Sequence, residues 1–180
     1  AYFGQLDYEI NDKLILTAGV RWTNDEKDFT GFQAYQGAAR YRYPFNFDVP
    51  HIALDNDWSE TTLKLGLAYH VTDDMMFFGS YAEGFKSGGF YGVNQNIRDF
   101  DRNQYDPETA ESWEIGMKSQ WMENRVQLNV SAFLNDFKDK QDSNVVRDED
   151  TNTVATVWEN QSSVQYWGVE LESRFVVNNN

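Results

Sequence analysis

Residues 108–137 hold two runs in which apolar and polar side chains alternate, joined by a short turn at 122–124. The apolar positions are Trp113, Ile115, Met117 and Trp121 in the first run, and Val126, Leu128, Val130, Ala132 and Leu134 in the second. Because successive side chains of a β-strand point to opposite faces, the pattern predicts a hairpin with one apolar and one polar face. A soluble strand usually has about five or six residues, whereas these runs approach the length that a tilted, membrane-spanning strand needs, about nine to eleven. We therefore predict two strands of a transmembrane β-barrel, with the apolar face toward lipid and the polar face toward the lumen.

The same alternation recurs along the whole chain and predicts seven strands, at residues 2–10, 14–23, 60–71, 75–84, 109–121, 125–137 and 164–175. Tight turns join these strands at one end, and the long loops 24–59, 85–108 and 138–163 join them at the other. Outer-membrane barrels show this asymmetry, with short periplasmic turns and longer outer loops. In the first hairpin we expect Ile10 to pair with Leu14 and Tyr2 with Trp22, which keeps the apolar side chains on one face.

The predicted fold class is all-β, an antiparallel up-and-down meander that forms part of one β-barrel domain over residues 1–180. Single-chain bacterial barrels have an even number of strands, so seven strands indicate a slice of a larger barrel. The alternative is a soluble β-sandwich or a carbohydrate-binding module, in which a second layer of protein would cover the apolar faces.

Composition and motifs exclude several classes of function. A net charge of −14 argues against nucleic acid as a partner, since phosphate binding needs a basic face. Without cysteine, and with His51 and His70 in different segments, no transition-metal site is predicted. Hydrolase and metalloprotease motifs are missing, so we expect neither an enzyme nor a bound cofactor. The acidic residues between Asp136 and Asp150 could bind calcium, yet they lack the spacing of an EF-hand, and a solvated loop is the simpler interpretation.

The two faces of the predicted strands have different roles. Aromatic residues near the ends of the apolar face are expected to form membrane girdles: Trp22, Tyr81, Trp113 and Trp167 at the loop end, Tyr69 and Trp121 at the turn end. Charged residues on the opposite face are expected to line the lumen, although a solvated sheet face remains the alternative for any one of them: Arg21, Lys64, Glu114, Lys118, Glu170, Glu172 and Arg174. Met76 and Phe78 also fall on the inner parity, where they would need an apolar cover.

Several stretches, in order, resemble the barrel of TonB-dependent outer-membrane receptors. They are 3–9 (FGQLDYE), 18–22 (AGVRW), 84–90 (GFKSGGF), 106–108 (DPE), 113–118 (WEIGMK) and 166–172 (YWGVELE). The resemblance implies a 22-stranded barrel in the bacterial outer membrane, filled by a plug on which Met76 and Phe78 would pack. It also implies import of scarce solutes such as iron chelates, driven by a TonB-type periplasmic energy-coupling protein that acts on the plug. No plug, coupling box or terminal aromatic strand is present in this sequence, so we expect a segment of such a receptor.

By the same resemblance, ligand capture would fall to the outer loops. Their aromatic rings could contact a flat chelate or a sugar, and their cations could meet an anionic one. The candidate contact residues are Tyr35, Arg40, Tyr41, Arg42, Tyr43, Lys86, Phe90, Tyr91 and Trp158. The favoured solute is an iron–siderophore complex, and the other expected partners are outer-membrane lipid and the energy-coupling protein.

Overall fold

The computed structural model describes residues 1–32, 51–90, 104–148 and 153–177. Its strands are β1 (Tyr2–Asn11), β2 (Leu14–Phe32), β3 (His51–Thr72), β4 (Met75–Lys86), β5 (Gly89–Phe90), β6 (Gln104–Tyr105), β7 (Glu108–Trp121), β8 (Val126–Lys138), β9 (Gln141–Asp148), β10 (Thr153–Asn160) and β11 (Val164–Phe175). Seven of them form one antiparallel sheet in the order β1-β2-β3-β4-β7-β8-β11, which confirms the predicted meander. The remaining strands form two small hairpin pairs, β9 with β10 and β5 with β6. In the part of the chain that the structure describes, no helix has the length and apolar character to cross a membrane.

The register of the sheet gathers the apolar side chains into continuous rows on one face. One row crosses four strands through Tyr81, Trp113, Leu134 and Trp167, and the next crosses them through Gly79, Ile115, Ala132 and Val169. No second layer of protein covers these rows within the described ranges, since Ile115 is 68% exposed and Leu171 is 71% exposed. The exposed apolar face is what a barrel offers to lipid, and it does not fit the soluble sandwich.

The predicted bounds of the outer loop 24–59 are wrong at both ends. Strand β2 continues to Phe32 and β3 begins at His51, and the two pair from Leu14–Tyr69 outward to Phe32–His51. Beyond Thr23 the alternation of apolar and polar residues fades, as expected for the part of a strand at which lipid would no longer select one face. Backbone hydrogen bonding does not depend on that selection, so the ladder continues. The predicted loops 85–108 and 138–163 likewise contain the β5–β6 and β9–β10 pairs.

The expected pairing of Ile10 with Leu14 is also wrong. Leu14 pairs with Asn11, and a bulge between Glu9 and Asn11 takes Ile10 out of the ladder. The turn is thus two residues long, and the extra residue is absorbed in the strand, as is common at barrel rims. Farther along the hairpin, Tyr2 pairs with Trp22 as expected.

Candidate functional site

The six aromatic residues expected as girdles all lie on the exposed apolar face. Trp22, Tyr69, Trp113, Trp121 and Trp167 are 42%, 46%, 54%, 50% and 78% exposed, respectively. Tyr81 is half-buried because its ring lies against Trp113, with 4.4 Å between the ring centroids. Their positions fit two aromatic levels with an apolar band between them. Their contact with lipid headgroups stays a prediction.

Ser119 is a residue of this face that the alternation pattern did not single out. It is 1% exposed, and its Oγ donates a hydrogen bond to Leu128 O at 2.7 Å. The indole Nε1 of Trp121 donates to Ser119 Oγ at 3.0 Å. A girdle tryptophan therefore has its polar atom satisfied inside the sheet, while its ring remains exposed.

Charged and hydrogen-bonding side chains begin two residues from the aromatic row, on its side nearer to the outer loops. Lys138 Nζ donates a hydrogen bond to Glu111 Oε1 at 2.5 Å, and Tyr81 Oη donates to Glu83 Oε1 at 2.7 Å. The hydrogen bond from Glu111, together with its negative charge, raises the pKa of Lys138 above the ordinary value. The outer edge of the apolar band is thus marked by charge within two residues of the aromatic row.

The predicted lumen residues lie on the face opposite the apolar rows. Glu114, Lys118, Glu170 and Glu172 line one open cavity of about 170 Å³, where Asn129 Nδ2 donates to Glu172 Oε2 at 2.9 Å. Arg21 and Lys64 line a second cavity of about 300 Å³, and Arg21 Nε donates to Thr23 Oγ1 at 3.0 Å. Arg174 lines neither cavity. This face could bind a polar partner inside the barrel, a role that stays a prediction.

Two aromatic rings on the inner face lie over glycines of neighbouring strands. Phe78 is opposite Gly116, where an added Cβ would lie 2.7 Å from the ring, and Phe133 is opposite Gly168, where it would lie 2.9 Å from the ring. The ammonium of Lys118 stands 5.4 Å from the centroid of Phe78. Phe78 is therefore half-buried against the backbone of Gly116 within the sheet itself, and its contact with the plug that the resemblance implied stays a prediction.

At the outer end, the segment after β4 folds onto the inner side of the β2–β3 extension. Trp58 is 8% exposed, and the ring of Phe90 lies 5.8 Å from it and 6.0 Å from Phe29, centroid to centroid. Lys27 Nζ stands 5.6 Å from the Trp58 ring and donates to Gly88 O at 2.7 Å. A Cβ at Gly88 would lie 2.5 Å from Trp58, so only glycine fits this approach. We call this group of five residues the mouth cluster.

Three of the predicted ligand-contact residues lie in the part of the chain that the structure describes. Phe90 belongs to the mouth cluster, and Lys86 forms an ion pair with Glu108 at 3.8 Å, its own side chain 59% exposed. Trp158 is half-buried, with its ring 6.2 Å from that of Tyr105. The other candidates lie outside the described residues: Tyr35, Arg40, Tyr41, Arg42, Tyr43 and Tyr91.

Sequence reasoning missed most of the mouth cluster. Lys27, Phe29 and Trp58 lie inside the predicted loop 24–59, and their shared face is visible only once β2 and β3 are known to pair through them. The one available signal was a faint alternation, in which Leu54, Asn56 and Trp58 fall on one parity between acidic neighbours.

An exposed apolar face between two aromatic levels, a polar inner face and paired strands that extend beyond the apolar band are the features of a segment of a transmembrane β-barrel wall. The chain belongs to the TonB-dependent receptor-like β-barrel family, whose model matches residues 1–179. Members of this family are outer-membrane transport receptors rather than enzymes.

Two curated relatives and one solved structure show the extent of the similarity. A probable TonB-dependent siderophore receptor, PiuA of Acinetobacter baumannii, is 28% identical over 146 residues, which cover 79% of this chain and 18% of the relative. The ferric-pyoverdine 358 receptor of Pseudomonas putida is 23% identical over 133 residues, which cover 74% of this chain and 14% of the relative. The ferric yersiniabactin uptake receptor FyuA of Yersinia pestis matches with a TM-score of 0.75 and 19% identity, over 98% of this chain and 24% of that one. The chain thus spans less than a fifth of the length of these curated relatives.

Proposed function

We propose that this chain forms part of the wall and outer mouth of an energy-coupled outer-membrane receptor that imports an iron–siderophore complex. The observation that carries the proposal is the family match over residues 1–179, joined to a curated relative described as a siderophore receptor. The exposed apolar rows supply the lipid contact that such a receptor needs. Its expected location is the bacterial outer membrane.

The outer mouth has the chemistry to meet a flat, anionic chelate. Aromatic rings offer large apolar surface at a low cost in conformational entropy, and Phe90 keeps part of its ring accessible. The ammonium of Lys27 is already engaged by Gly88 O, whereas the side chain of Lys86 is mostly exposed. We therefore assign first contact to Phe90 and Lys86, with Trp58 and Phe29 beneath Phe90 as support.

The inner face would contact the plug domain that members of this family carry. A row formed by Met76, Lys118, Asn129 and Glu172 combines one apolar side chain with donors and acceptors of both charges. Such a surface can hold a polar partner firmly and release it without exposing a large apolar area. The energy-coupling protein would act on the plug and need not touch these strands.

The test is uptake of radioactive iron, supplied as a panel of ferric siderophores, by iron-starved cells that carry the full-length receptor. Phe90→Ala and Lys86→Gln should each raise the half-saturating concentration, Phe90→Ala by about tenfold, the loss expected for one aromatic contact. Lys13→Gln is the matched control, because Lys13 is an exposed lysine in the turn at the opposite end of the sheet. The proposal would be contradicted if the cells took up none of the chelates, or if all three variants had the same half-saturating concentration.

A further inference from the structure

The side chain of Gln141 joins the two ends of the outer loop between β4 and β7. It is 5% exposed, and its Nε2 donates hydrogen bonds to Ser87 O and to Asp106 O, both at 2.9 Å. An amide NH₂ group has two protons, so both are used in this bridge. The backbone nitrogen of Gln141 also donates to Glu108 Oε2 at 2.9 Å. One residue of β9 therefore holds three points at the base of this loop.

Asn160, at the end of β10, holds the same loop from its neighbouring position. It pairs with Gln141 in the β9–β10 ladder. Its Oδ1 accepts a hydrogen bond from Asp106 N at 2.7 Å, and its Nδ2 donates to Asp106 O and to Asp139 O, both at 2.8 Å. The base of the β9–β10 hairpin is thereby tied both to itself and to the outer loop.

The opposite side of the same loop is fixed by the mouth cluster. Ser87 is 7% exposed and accepts from Gln141, while the next residue, Gly88, accepts from Lys27 of β2. Residues 87–90 therefore connect the β2–β3 extension to the β9–β10 hairpin. Buried amide donors stabilise such a connection. If the two segments separated, these donors would lose their carbonyl partners, and a buried donor without a partner costs free energy.

We propose that Gln141 and Asn160 are positioning residues that hold the two ends of the outer loop, residues 87–90 and 104–108, and the base of the β9–β10 hairpin as one unit. The unit would fix Phe90, on the loop, relative to Trp158, on the hairpin, before a ligand arrives. Preorganised contacts bind more tightly because fewer groups must be ordered on binding. The role of Gln141 and Asn160 in ligand capture rests on the proposed function, whereas their role in connecting the outer loop to the hairpin does not.

The experiment compares the wild-type full-length receptor in lipid with its variants Gln141→Leu, Asn160→Ala and Gln165→Leu. Gln165, on β11, is the control, because its Nε2 donates to Asp136 Oδ2 of β8 at 3.3 Å and not to the ends of the loop. Amide hydrogen exchange over residues 87–90 and 104–108 should be about tenfold faster or more in Gln141→Leu, since the loss of two hydrogen bonds favours local opening, and unchanged in the control. Asn160→Ala should act in the same direction and guards against an effect peculiar to one variant.

The second measurement is ferric-siderophore uptake by cells, with receptor amounts matched. Gln141→Leu should raise the half-saturating concentration by about tenfold with the maximal rate unchanged, because preorganisation affects binding and not the energy-coupled step. A general loss of barrel stability would instead lower the amount of receptor in the membrane before the amounts are matched, and would leave the half-saturating concentration unchanged.

The outcomes separate the two proposals. Wild-type exchange rates in both Gln141→Leu and Asn160→Ala would overturn the joining of the two segments. Faster exchange with an unchanged half-saturating concentration would overturn the role in capture. If the wild-type receptor imports no ferric siderophore, the proposed function fails, and the exchange rates alone then decide whether the loop and the hairpin move as one unit.

Discussion

Replacing Gly116 by alanine should destabilise the barrel, although alanine is normally the better strand residue. A Cβ at this position would lie 2.7 Å from the ring of Phe78 and 2.7 Å from Val130 O. The ring can shift, but Val130 O belongs to the paired backbone of β8 and can move only if the ladder is disturbed. Overpacking of this kind costs about 1–3 kcal/mol, which exceeds the gain of about 0.5–1 kcal/mol from removing a glycine in a strand.

Gly79→Ala provides the matched comparison. Gly79 lies on the adjacent strand β4, and a Cβ there would meet nothing closer than 3.7 Å. This variant should therefore raise the free energy of unfolding by about 0.5–1 kcal/mol. Because both variants remove a strand glycine, the two should differ by the overpacking cost alone, about 1–3 kcal/mol. Urea unfolding of the full-length receptor in lipid vesicles, followed by tryptophan fluorescence, measures both.

A double variant divides the cost at Gly116 into its two sources. Phe78→Ala combined with Gly116→Ala removes the contact with the ring and leaves the contact with Val130 O, so part of the destabilisation should persist in the double-mutant cycle. Equal stability of Gly116→Ala and Gly79→Ala would refute the argument that Phe78 packs on a site that only glycine can provide.

Three further predictions concern the wall and its outer edge. Ile115 lies on the exposed face between the two aromatic levels, and Ile115→Arg should lower the free energy of unfolding in vesicles by about 2–4 kcal/mol. If this variant folded into vesicles with wild-type yield and stability, lipid contact at this position would be contradicted. Ser119→Ala should lower the free energy of unfolding by about 1–3 kcal/mol, because Leu128 O and the indole Nε1 of Trp121 would both lose the buried hydroxyl as a hydrogen-bond partner. An unchanged urea midpoint would contradict this prediction. Lys138→Met should lower stability at neutral pH, and the difference from wild type should vanish as the pH rises through the folded-state pKa of Lys138, which lies above its ordinary value of 10.5. A difference that persists in strong alkali would assign the effect to packing rather than to charge.

The sequence was sufficient for the wall because lipid imposes one strict rule on it. A side chain at every second position faces hydrocarbon, so the alternation of residues such as Leu65, Leu67 and Tyr69 predicts both the strand and its face. The rule ends where the apolar rows end. Beyond Trp22 the outward positions of β2 are mostly polar, and Phe29 packs against Phe90 on the inner side, so only a faint alternation was left to indicate the continued pairing with β3.

The outer loops were hard to predict for a different reason. Gln141 and Asn160 bind backbone carbonyls, which every residue carries, so no side-chain motif marks their partners at Ser87 and Asp106. Phe78 shows the same limit on the inner face. Its apolar character suggested a missing cover, whereas part of the cover is the bare backbone at Gly116, which depends on the register between two strands.

The direction of the strands limits how the sheet can be continued. Seven strands alternate in direction from β1 to β11, so the two outermost strands point the same way. A ring that keeps every neighbour antiparallel must therefore insert an odd number of additional strands between those two edges. For the same reason, copies of this sheet cannot follow one another head to tail in a closed cylinder without creating a parallel seam, whereas two copies turned end over end can join β1 to β1 with the antiparallel pattern intact.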